Sequence, residues 1–303
     1  MAGGLSRIAL IGFGEVGQTL GADLLAAGAD VTACDVLFER PDSAPSRALA
    51  KIPVRPGASA AACVRDAELV VSAVTAASDV DAARSVVPGL QRGAFYLDVN
   101  SVSPRVKQEC AGLIDGAGGR YVEAAVMTPI APKRIASSML LGGRHAADFI
   151  ARARPLGFTG AEYFSDVIGQ ASATKMCRSV IIKGMEALLA ESLVSARHYG
   201  VERTVLDSLS DLLPVGDWDR LARYMISRSL EHGTRRAEEM RESARTVAEA
   251  GVEPLMALAT ARREDWAAER KSALRSTHEL GSLLDAIRHS LEGEAAALPK
   301  AAE

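Results

Sequence analysis

Aromatic residues make up only 4% of this chain of 303 residues, whereas 48% of it is hydrophobic. The core must therefore be built mainly from alanine, valine, leucine and isoleucine, which suits helices packed closely on a sheet. Cysteine is also scarce: Cys34, Cys63, Cys110 and Cys177 lie far apart without a Cys-x-x-Cys pair, and the five histidines show no His-Glu-x-x-His spacing. These gaps argue against a disulfide framework and against a bound metal.

The sequence also lacks a strong net charge and a long apolar run. Its 35 Lys and Arg residues nearly balance its 38 Asp and Glu residues, for a net charge of -3. Without an excess of positive charge there is no long-range field to gather nucleic acid, so we expect no such partner. The apolar stretch Ile8–Ile11 is too short for the core of a signal peptide, and no run of about 18 uncharged apolar residues follows. We therefore expect a cytoplasmic protein that does not enter the membrane.

The first half of the chain alternates short β-branched runs with alanine-rich helical stretches. Nearly unbroken apolar strands that alternate with helices indicate a parallel sheet covered on both faces, which is the doubly wound Rossmann arrangement. The predicted strands are Arg7–Ile11, Val31–Cys34, Leu69–Val74, Phe95–Val99, Tyr121–Val126 and Met139–Leu141. The predicted helices between them are Glu15–Ala27, Ser59–Ala67, Asp79–Val87 and Pro104–Ile114.

The pattern changes near Gly169. From Ala171 to Tyr199 apolar residues recur at helical spacing without a proline, over roughly 43 Å, and Gly200 follows as a stop. Further helices are predicted at Val201–Leu213, Asp217–Glu231, Thr234–Ala250 and Pro254–His289. The predicted class is α/β, with a doubly wound domain over residues 1–168 and an all-helical domain over residues 169–303, joined by a long connector helix.

A glycine-rich turn links the first predicted strand to the first predicted helix. The segment Gly12–Gly17 reads Gly-Phe-Gly-Glu-Val-Gly and matches the Gly-x-Gly-x-x-Gly pattern in the strand–turn–helix context that the pattern requires. Gly12 permits the tight turn, Gly14 lets the backbone approach a pyrophosphate, and Gly17 lets the helix lie close to the strand. The N–H groups that begin the helix would then face the phosphates of a dinucleotide.

An acidic residue, Asp35, ends the second strand 18 residues after Gly17. Its carboxylate can accept hydrogen bonds from the hydroxyls of the adenosine ribose and would repel a 2′-phosphate, so Asp35 favours NAD over NADP. Arg40 and Arg47 follow, and either could reach a phosphate, which leaves NADP open. The alternative is structural: the glycines make only a tight turn, and Asp35 caps the next segment.

Polar segments follow three later strands, at the edge where ligands bind in a doubly wound sheet. Val74 and Thr75 would contact the adenosine side of the dinucleotide. Asp98–Pro104 ends the next strand, and the alternative for its serines is a plain helix cap. Val126–Pro129 ends the third, where the alternative is a simple loop. The predicted cofactor-binding residues are Gly12, Phe13, Gly14, Glu15, Val16, Gly17, Asp35, Val74, Thr75 and Asn100.

Four segments resemble a known family, the β-hydroxyacid dehydrogenases, which include 3-hydroxyisobutyrate and 6-phosphogluconate dehydrogenases. They are, in chain order, Gly12–Gly17, Asp98–Pro104, Glu123–Pro129 and Lys175. The second segment resembles the family's substrate-binding loop, with Ser101 at the family's threonine and Asn100 at its serine. His232–Met240 and Gly251–Pro254 resemble the phosphogluconate-dehydrogenase-like C-terminal domain of one branch.

The resemblance implies a nicotinamide-dependent dehydrogenase or reductase of a small hydroxy acid. Lys175 would be the general acid/base, facing the nicotinamide across a cleft between the domains. The protein would be a homodimer, and its substrate would carry a carboxylate. The predicted substrate-binding residues are Ser101, Val102, Met127, Thr128, Ser179 and His232.

Two positions depart from the family, so the family's usual substrate does not transfer. Ser179 stands where the family has Asn four residues after the lysine, and Met127, Thr128 and Pro129 replace the usual Ser-Gly-Gly. Two other function classes stay open. One is imine reduction by a sister group, whose members commonly have Asp or Tyr in place of the lysine, so Lys175 argues against it. The other is a dinucleotide-sensing protein without turnover, which only the altered Ser179 and Met127 support. The separate structural alternative for Lys175 is a surface lysine.

Overall fold

The computed structural model describes residues 4–209, 213–276 and 279–297. The chain divides into two compact units, Met1–Met176 and Cys177–Glu303. The domain boundary that the sequence predicts after residue 168 stays a prediction. Within the described ranges, no helix combines the length and the apolar character needed to cross a bilayer.

The first unit is built on an eight-stranded sheet. Its strands are β1 (Arg7–Ile11), β2 (Asp30–Cys34), β3 (Arg55–Pro56), β4 (Leu69–Ser72), β5 (Phe95–Asp98), β6 (Arg120–Val126), β7 (Met139–Gly142) and β8 (Ala161–Ser165). Their spatial order is β3-β2-β1-β4-β5-β6-β7-β8. All neighbours from β3 to β6 run parallel, and the chain winds outward from β1 in both directions. The doubly wound α/β prediction is confirmed.

The sheet is not parallel throughout, because β7 pairs antiparallel with β6 and carries β8 with it. The helix between β6 and β7 has four residues and spans roughly 6 Å, whereas the seven residues of β6 extend for roughly 23 Å. Such a short helix cannot carry the chain back to the start of β6, so the next strand returns in the opposite direction. The predicted parallel sheet therefore extends from β3 to β6, and the pairing reverses at this edge.

Alternate residues of the central strands enter two separate cores, one on each face of the sheet. Ile8 and Leu10 of β1 belong to one core, while Ala9 and Ile11 belong to the other. The covering helices are α1 (Glu15–Ala26), α2 (Ala44–Leu49), α3 (Ala60–Cys63), α4 (Asp79–Val86), α5 (Pro104–Gly116), α6 (Ile130–Lys133) and α7 (Ala146–Ala153). The prediction that helices cover both faces is confirmed.

The second unit is helical. Its helices are α8 (Gln170–Tyr199), whose first turns belong to the first unit, α9 (Glu202–Leu209), α10 (Trp218–Glu249), α11 (Leu255–Ala268) and α12 (Leu280–Ala297). Gly200 and Gly251 follow α8 and α10 with φ of +71° and +77°, a conformation that stops a helix at low cost in glycine. Part of the helix predicted over Val201–Leu213 lies outside the described residues.

The two helices predicted at Asp217–Glu231 and Thr234–Ala250 form one continuous helix, α10. A Cβ atom on Gly233, where the sequence predicts a break, would lie 2.4 Å from the carbonyl oxygen of Glu264 and 2.8 Å from the amide nitrogen of Ala268, both on α11. The glycine is therefore required by the close approach of two helix backbones. The predicted break was wrong because sequence alone does not distinguish such a glycine from a helix stop.

The single helix predicted over Pro254–His289 is also wrong, because α11 ends at Ala268 and a 3₁₀ turn, Lys271–Ser276, precedes α12. Arg270 is buried beneath this bend. Its guanidinium donates to the carbonyl oxygen of Trp266 over 2.7 Å and lies over the Trp266 ring. This contact satisfies a carbonyl left open at the helix end. Neither glycine nor proline marks the position, so the helical pattern gives no warning.

We predict that Gly233→Ala lowers the free energy of unfolding by about 1–3 kcal/mol, because the added methyl group meets backbone atoms that cannot move independently. The matched control is Gly112→Ala on the exposed side of α5, where a Cβ atom meets nothing within 4 Å. That change should raise stability by about 0.5–1 kcal/mol. Urea unfolding of both variants checks this, and equal stabilisation by the two would contradict the proposed helix contact.

Candidate active site

The turn between β1 and α1 needs glycine at two positions for packing and leaves a third open. A Cβ atom on Gly12, whose φ is +92°, would lie 2.3 Å from the carbonyl oxygen of Ala73, and one on Gly17 would lie 2.2 Å from that of Gly12. A Cβ atom on Gly14 would meet nothing within 4 Å. Among the described residues, no side chain caps the N-terminus of α1. The first amides of this helix therefore have no side-chain cap, and there is open space beside Gly14.

Asp35 fastens this turn to the end of β2. Its Oδ2 accepts a hydrogen bond from the amide of Phe13 at 2.7 Å, and its Oδ1 accepts one from the amide of Leu37 at 2.8 Å. The ring of Phe13 is buried with its edge against Phe38. Val36, directly after Asp35, is 88% exposed. The structural role raised from the sequence, a cap on the next segment, is thus present, and each carboxylate oxygen keeps a second lone pair.

The remaining predicted cofactor contacts lie in the first turn of α1 and in the loops after β4 and β5. Glu15 is exposed and Val16 is half-buried in the first turn of α1. Thr75 is exposed beyond β4, where its hydroxyl lies 3.1 Å from that of Ser78. The amide of Val74 donates to Oδ1 of Asn100 at 2.7 Å, which ties the end of β4 to the loop after β5. Asn100 is itself buried.

A buried ion pair supports the end of β5. Nζ of Lys107 lies 2.7 Å from Oδ1 of Asp98, and the hydroxyl of Tyr121 donates to Oδ2 of the same carboxylate at 2.7 Å. All three side chains are at most 1% exposed. Burial opposes the charged form of Lys107, but the surrounding acidic groups, Asp98 foremost among them, together outweigh burial and raise the pKa of Lys107 above its ordinary value. The ion pair fixes the start of the loop that carries Ser101.

One group of potential metal-binding atoms occurs among the described residues. Oxygen atoms of Asp79 and Asp98 and the sulfur atom of Cys110 lie within 4.8 Å of one another, all buried. Lys107 already neutralises Asp98 at this place. A further cation would have to displace that ammonium group, so we assign no metal to the group.

The side chains of Lys175 and Ser101 meet in the first unit. Nζ of Lys175, on the second turn of α8, donates a hydrogen bond to Oγ of Ser101 at 2.6 Å. Oγ of Ser172, one turn earlier, donates to the carbonyl oxygen of Val102. The helix is therefore attached to the loop after β5 at two successive residues. Lys175 is half-buried, and Val102 is fully buried.

Glu123 on β6 holds the first turn of α8. Its Oε2 accepts from the amide of Gly169 at 2.7 Å and its Oε1 from the amide of Ser172 at 2.6 Å. A negative charge at this end of a helix also interacts favourably with the helix dipole. Burial raises the pKa of Glu123 above its ordinary value, although Lys107 and the two amides oppose the shift. The carboxylate thereby positions the helix that presents Lys175.

The loop after β6 carries the predicted substrate contacts Met127 and Thr128. The amide of Met127 donates to the carbonyl oxygen of Ser138 at 2.9 Å, and Thr128 is exposed. Further along, Arg134 has a φ of +53° and donates through Nε to Asp23 of α1 at 2.8 Å. A non-glycine residue in this region is strained, and it persists where surrounding contacts hold it.

Ser179 and His232 lie in the second unit. Oγ of Ser179 accepts a hydrogen bond from Nζ of Lys183 at 3.4 Å, and Lys183 also pairs with Glu239 of α10. Burial lowers the pKa of Lys183, although Glu239 opposes the shift. Nε2 of His232 lies 2.6 Å from Nη1 of Arg228. The two predicted substrate contacts therefore have separate hydrogen-bond partners in this unit.

Three supporting residues were not predicted from the sequence. Glu123 has a signal, because it is a charged residue inside an otherwise apolar strand, and a buried charge needs partners. Lys107 and Lys183 have none, since a lysine on a helix is usually exposed. The structure brings together Lys175, Ser101 and Val102, and separately joins Val74 to Asn100 and Gly12–Gly17 to Asp35.

The parallel sheet and the glycine-rich turn together define a Rossmann-type domain, here followed by a helical unit. Residues 7–163 match the family model described as the NAD binding domain of 6-phosphogluconate dehydrogenase. Residues 196–267 match a domain of unknown function, DUF1932. The first unit is thus an NAD-binding domain, and the model that matches the second unit assigns it no function.

Similar proteins extend the match over most of the chain. A conserved hypothetical protein from Sinorhizobium meliloti 1021 has a solved structure with a TM-score of 0.75 and 34% identity, covering 94% of this chain and 96% of that one. The conserved protein MTH1747, described as structurally similar to 3-hydroxyacid dehydrogenases, gives a TM-score of 0.69 and 30% identity, covering 87% and 97%. The 3-hydroxyisobutyrate dehydrogenase of Pseudomonas aeruginosa is 25% identical, over 71% of this chain and 72% of its own. The chain belongs to the β-hydroxyacid dehydrogenase superfamily, as its four segments predict.

We predict that Glu123→Gln lowers the free energy of unfolding by about 1–3 kcal/mol, because the new amide group turns an N–H donor toward one of the two backbone amides. The control is Glu109→Gln, an exposed position on α5 that should change stability by less than about 0.5 kcal/mol. Chemical unfolding measures both. Identical stabilities would show that the carboxylate does not hold the start of α8.

Proposed function

We propose that this protein is an NAD(P)-dependent oxidoreductase that acts between the hydroxyl and carbonyl forms of a small hydroxy acid or related compound. The observation that carries the proposal is the 2.6 Å hydrogen bond from Lys175 to Ser101. Ser101 follows β5, and the glycine-rich turn follows β1, a parallel strand of the same sheet. An amine and a glycine-rich turn thus share the edge at which doubly wound sheets bind ligands.

The residues of the turn fit a dinucleotide. The open space at Gly14 and the uncapped amides of α1 suit a pyrophosphate, whose negative charge the helix dipole favours. Asp35 can accept from the ribose hydroxyls through its remaining lone pairs, and the exposed side chain of Val36 would lie beside the adenine. Thr75 and the backbone at Val74 would line the same region. A bound nicotinamide would supply or accept the hydride.

Lys175 would move the proton that accompanies the hydride. In the direction of oxidation its amine accepts the proton of the substrate hydroxyl, and in the direction of reduction its ammonium group returns a proton to the carbonyl oxygen. Because Lys175 donates to Oγ of Ser101, the hydroxyl hydrogen of Ser101 is free to point at the substrate. Glu123 keeps the helix and its amine in place.

Substrate recognition would involve hydroxyl groups and an anionic group of the substrate. Ser101 and Thr128 supply hydroxyls in the first unit, beside Val102 and Met127. Ser179 and His232 stay proposed contacts of the second unit. A carboxylate on the substrate is the group that such donors, together with a cationic lysine, recognise best.

We also propose that the protein forms a homodimer. Ile181 and Leu188 on α8, and Leu255 and Met256 on α11, are apolar side chains at least 58% exposed. Exposed large apolar side chains are candidates for a protein interface, and the family resemblance favours a dimer. Sedimentation equilibrium tests this proposal, and a monomer at all concentrations would contradict it.

We predict that Lys175→Met lowers kcat/KM by about 10²–10⁴-fold while leaving the Kd for NADH within about twofold, because proton transfer is lost but the glycine-rich turn is untouched. Lys175→Arg should lose as much, since arginine keeps the charge but does not release its proton. The control is Lys51→Met at an exposed position.

The substrate for this test comes from a spectrophotometric screen of hydroxy acids, carbonyl compounds and imines with both cofactors. Wild-type rates in the Lys175 variants with every substrate found would remove the acid/base role. Cofactor binding without turnover across the whole panel would instead favour a dinucleotide-binding protein.

A further prediction concerns cofactor choice. The wild-type protein should bind NADH more tightly than NADPH, and Asp35→Asn should reduce that preference by at least about tenfold, because the carboxylate no longer repels the 2′-phosphate. Glu39→Gln, at an exposed acid of the same segment, is the control and should leave the preference unchanged. Fluorescence titration measures both Kd values. A wild-type protein that prefers NADPH would refute the role of Asp35.

A further inference from the structure

A buried polar group behind the proposed site has no role in the chemistry described above. It consists of Asp79, Asp98, Asn100, Lys107 and Tyr121, which we call the Asp79 cluster. Asp79 begins α4, and its side chain is fully buried. The other members come from β5, α5 and β6 and from the loop that leads to Ser101. Asp79 on α4 therefore lies among residues of β5, α5 and β6, beneath that loop.

All three N–H hydrogens of Asn100, two on the side chain and one on the backbone, donate hydrogen bonds to neighbouring residues. Its side-chain oxygen accepts from the amide of Val74 at 2.7 Å, and its Nδ2 donates to Oγ of Ser72 at 2.9 Å and to Oδ1 of Asp79 at 2.7 Å. Its backbone amide donates to Oδ1 of Asp98 at 3.0 Å. Asn100 therefore joins the ends of β4 and β5, and Asp79 is one of the two acceptors that orient its side-chain amide.

The surroundings of the second carboxyl oxygen of Asp79, Oδ2, indicate whether Asp79 is protonated. Oδ2 is buried, and no donor in the described part of the chain reaches it. The neighbouring carboxylate of Asp98 already accepts from Lys107 and Tyr121. Two ionised carboxylates beside one lysine would leave an uncompensated buried negative charge, which is costly. A proton on Oδ2 of Asp79 removes that charge and makes this oxygen a donor toward Asp98.

The groups that face Asp79 keep their own charge states around neutral pH. Burial and Asp98 raise the pKa values of Tyr96 on β5 and Tyr121 on β6, and burial and Asp79 raise that of Cys110 on α5, so all three stay neutral. Lys107 stays charged through Asp98. Burial, followed by the charge of Asp98, raises the pKa of Asp79 itself to about 8. Asp79 is the member of this set that titrates near neutral pH.

We propose that Asp79, as a neutral carboxylic acid, is a positioning residue: it holds Asn100 and, through Asn100, the backbone at Val74 and the loop of Ser101 in the form that binds the dinucleotide. The proposal rests on the proposed function, because it concerns the same dinucleotide site. Ionisation transfers the proton of Asp79 to water and leaves two buried anions in contact. Their repulsion displaces Asp79 from Asn100, and the two loops lose their common anchor.

The direction of the pH effect follows from the two pKa values. The unfolded chain releases this proton near pH 4, and the folded chain releases it near pH 8. The stability therefore falls as pH rises from about 4 to about 8 and levels off above that. Cofactor affinity should be constant below about pH 7 and should decline as Asp79 ionises.

The test is a fluorescence titration of the full chain with NADH from about pH 6 to about pH 9.5, with a thermal melt at each pH. For the wild-type protein we expect the Kd to rise by up to tenfold per pH unit above about pH 8. Asp79→Asn keeps an acceptor for Asn100 and a donor for Asp98 without a titrating proton. Its Kd should stay within about twofold across the range, and its melting temperature should depend less on pH.

Two further variants complete the experiment. Asp81→Asn on the same helix removes an exposed carboxylate paired with Arg84, and it should follow the wild-type profile. Asp79→Leu removes the acceptor for Asn100 and should weaken NADH binding at every pH. If Asp79→Asn shows the wild-type pH profile, the proposal is wrong while the proposed function stands. If wild-type protein binds neither NADH nor NADPH at about pH 7, the proposed function fails and this proposal fails with it.

Discussion

The carboxylate of Glu123 is the point at which the sheet holds the start of α8. Its two oxygens accept hydrogen bonds from the amide of Gly169, just before the helix, and from the amide of Ser172 in its first turn. The side chain of Ser172 then donates to the carbonyl oxygen of Val102, and that of Lys175 donates to Ser101. Side chains leave a helix in fixed directions, so the rotation of the helix about its axis decides which side chains reach the sheet. The contacts of its first turns fix that rotation, and every proposed role of Lys175 depends on them.

A second layer of buried charge supports the loop on which Lys175 acts. Asp98 and Lys107 lie beneath it, and Asn100 connects it to the end of β4. Rigidity and exposure to a ligand are thus provided by different groups of residues. Buried and paired groups supply rigidity, while Thr75 and Thr128, in the loops after β4 and β6, are exposed.

The sequence predicts the parts of this protein whose physics is local. The glycine at 12 follows from the positive φ of a tight turn, the glycine at 17 follows from a backbone contact within that turn, and the central strands follow from unbroken apolar runs. What it does not predict depends on contacts between distant segments. Gly233 marks a close approach between α10 and α11 and not the end of a helix. Arg270 binds the carbonyl oxygen of Trp266 where α11 ends. β7 runs antiparallel to β6 because the helix between them is short. Lys107 and Lys183 look like surface lysines until their carboxylate partners are known.

The buried ion pair of Asp98 and Lys107 also limits how this sequence can drift. Loss of either partner alone would strand the other charge in the core, at a cost of about 3–5 kcal/mol, which is a large part of the stability of a typical domain. Replacing both together by apolar residues carries no such penalty. In sequences that descend from this chain, positions 98 and 107 should therefore change together or not at all. Only Asp98 belongs to the recognisable motif of the loop, Asp98–Pro104.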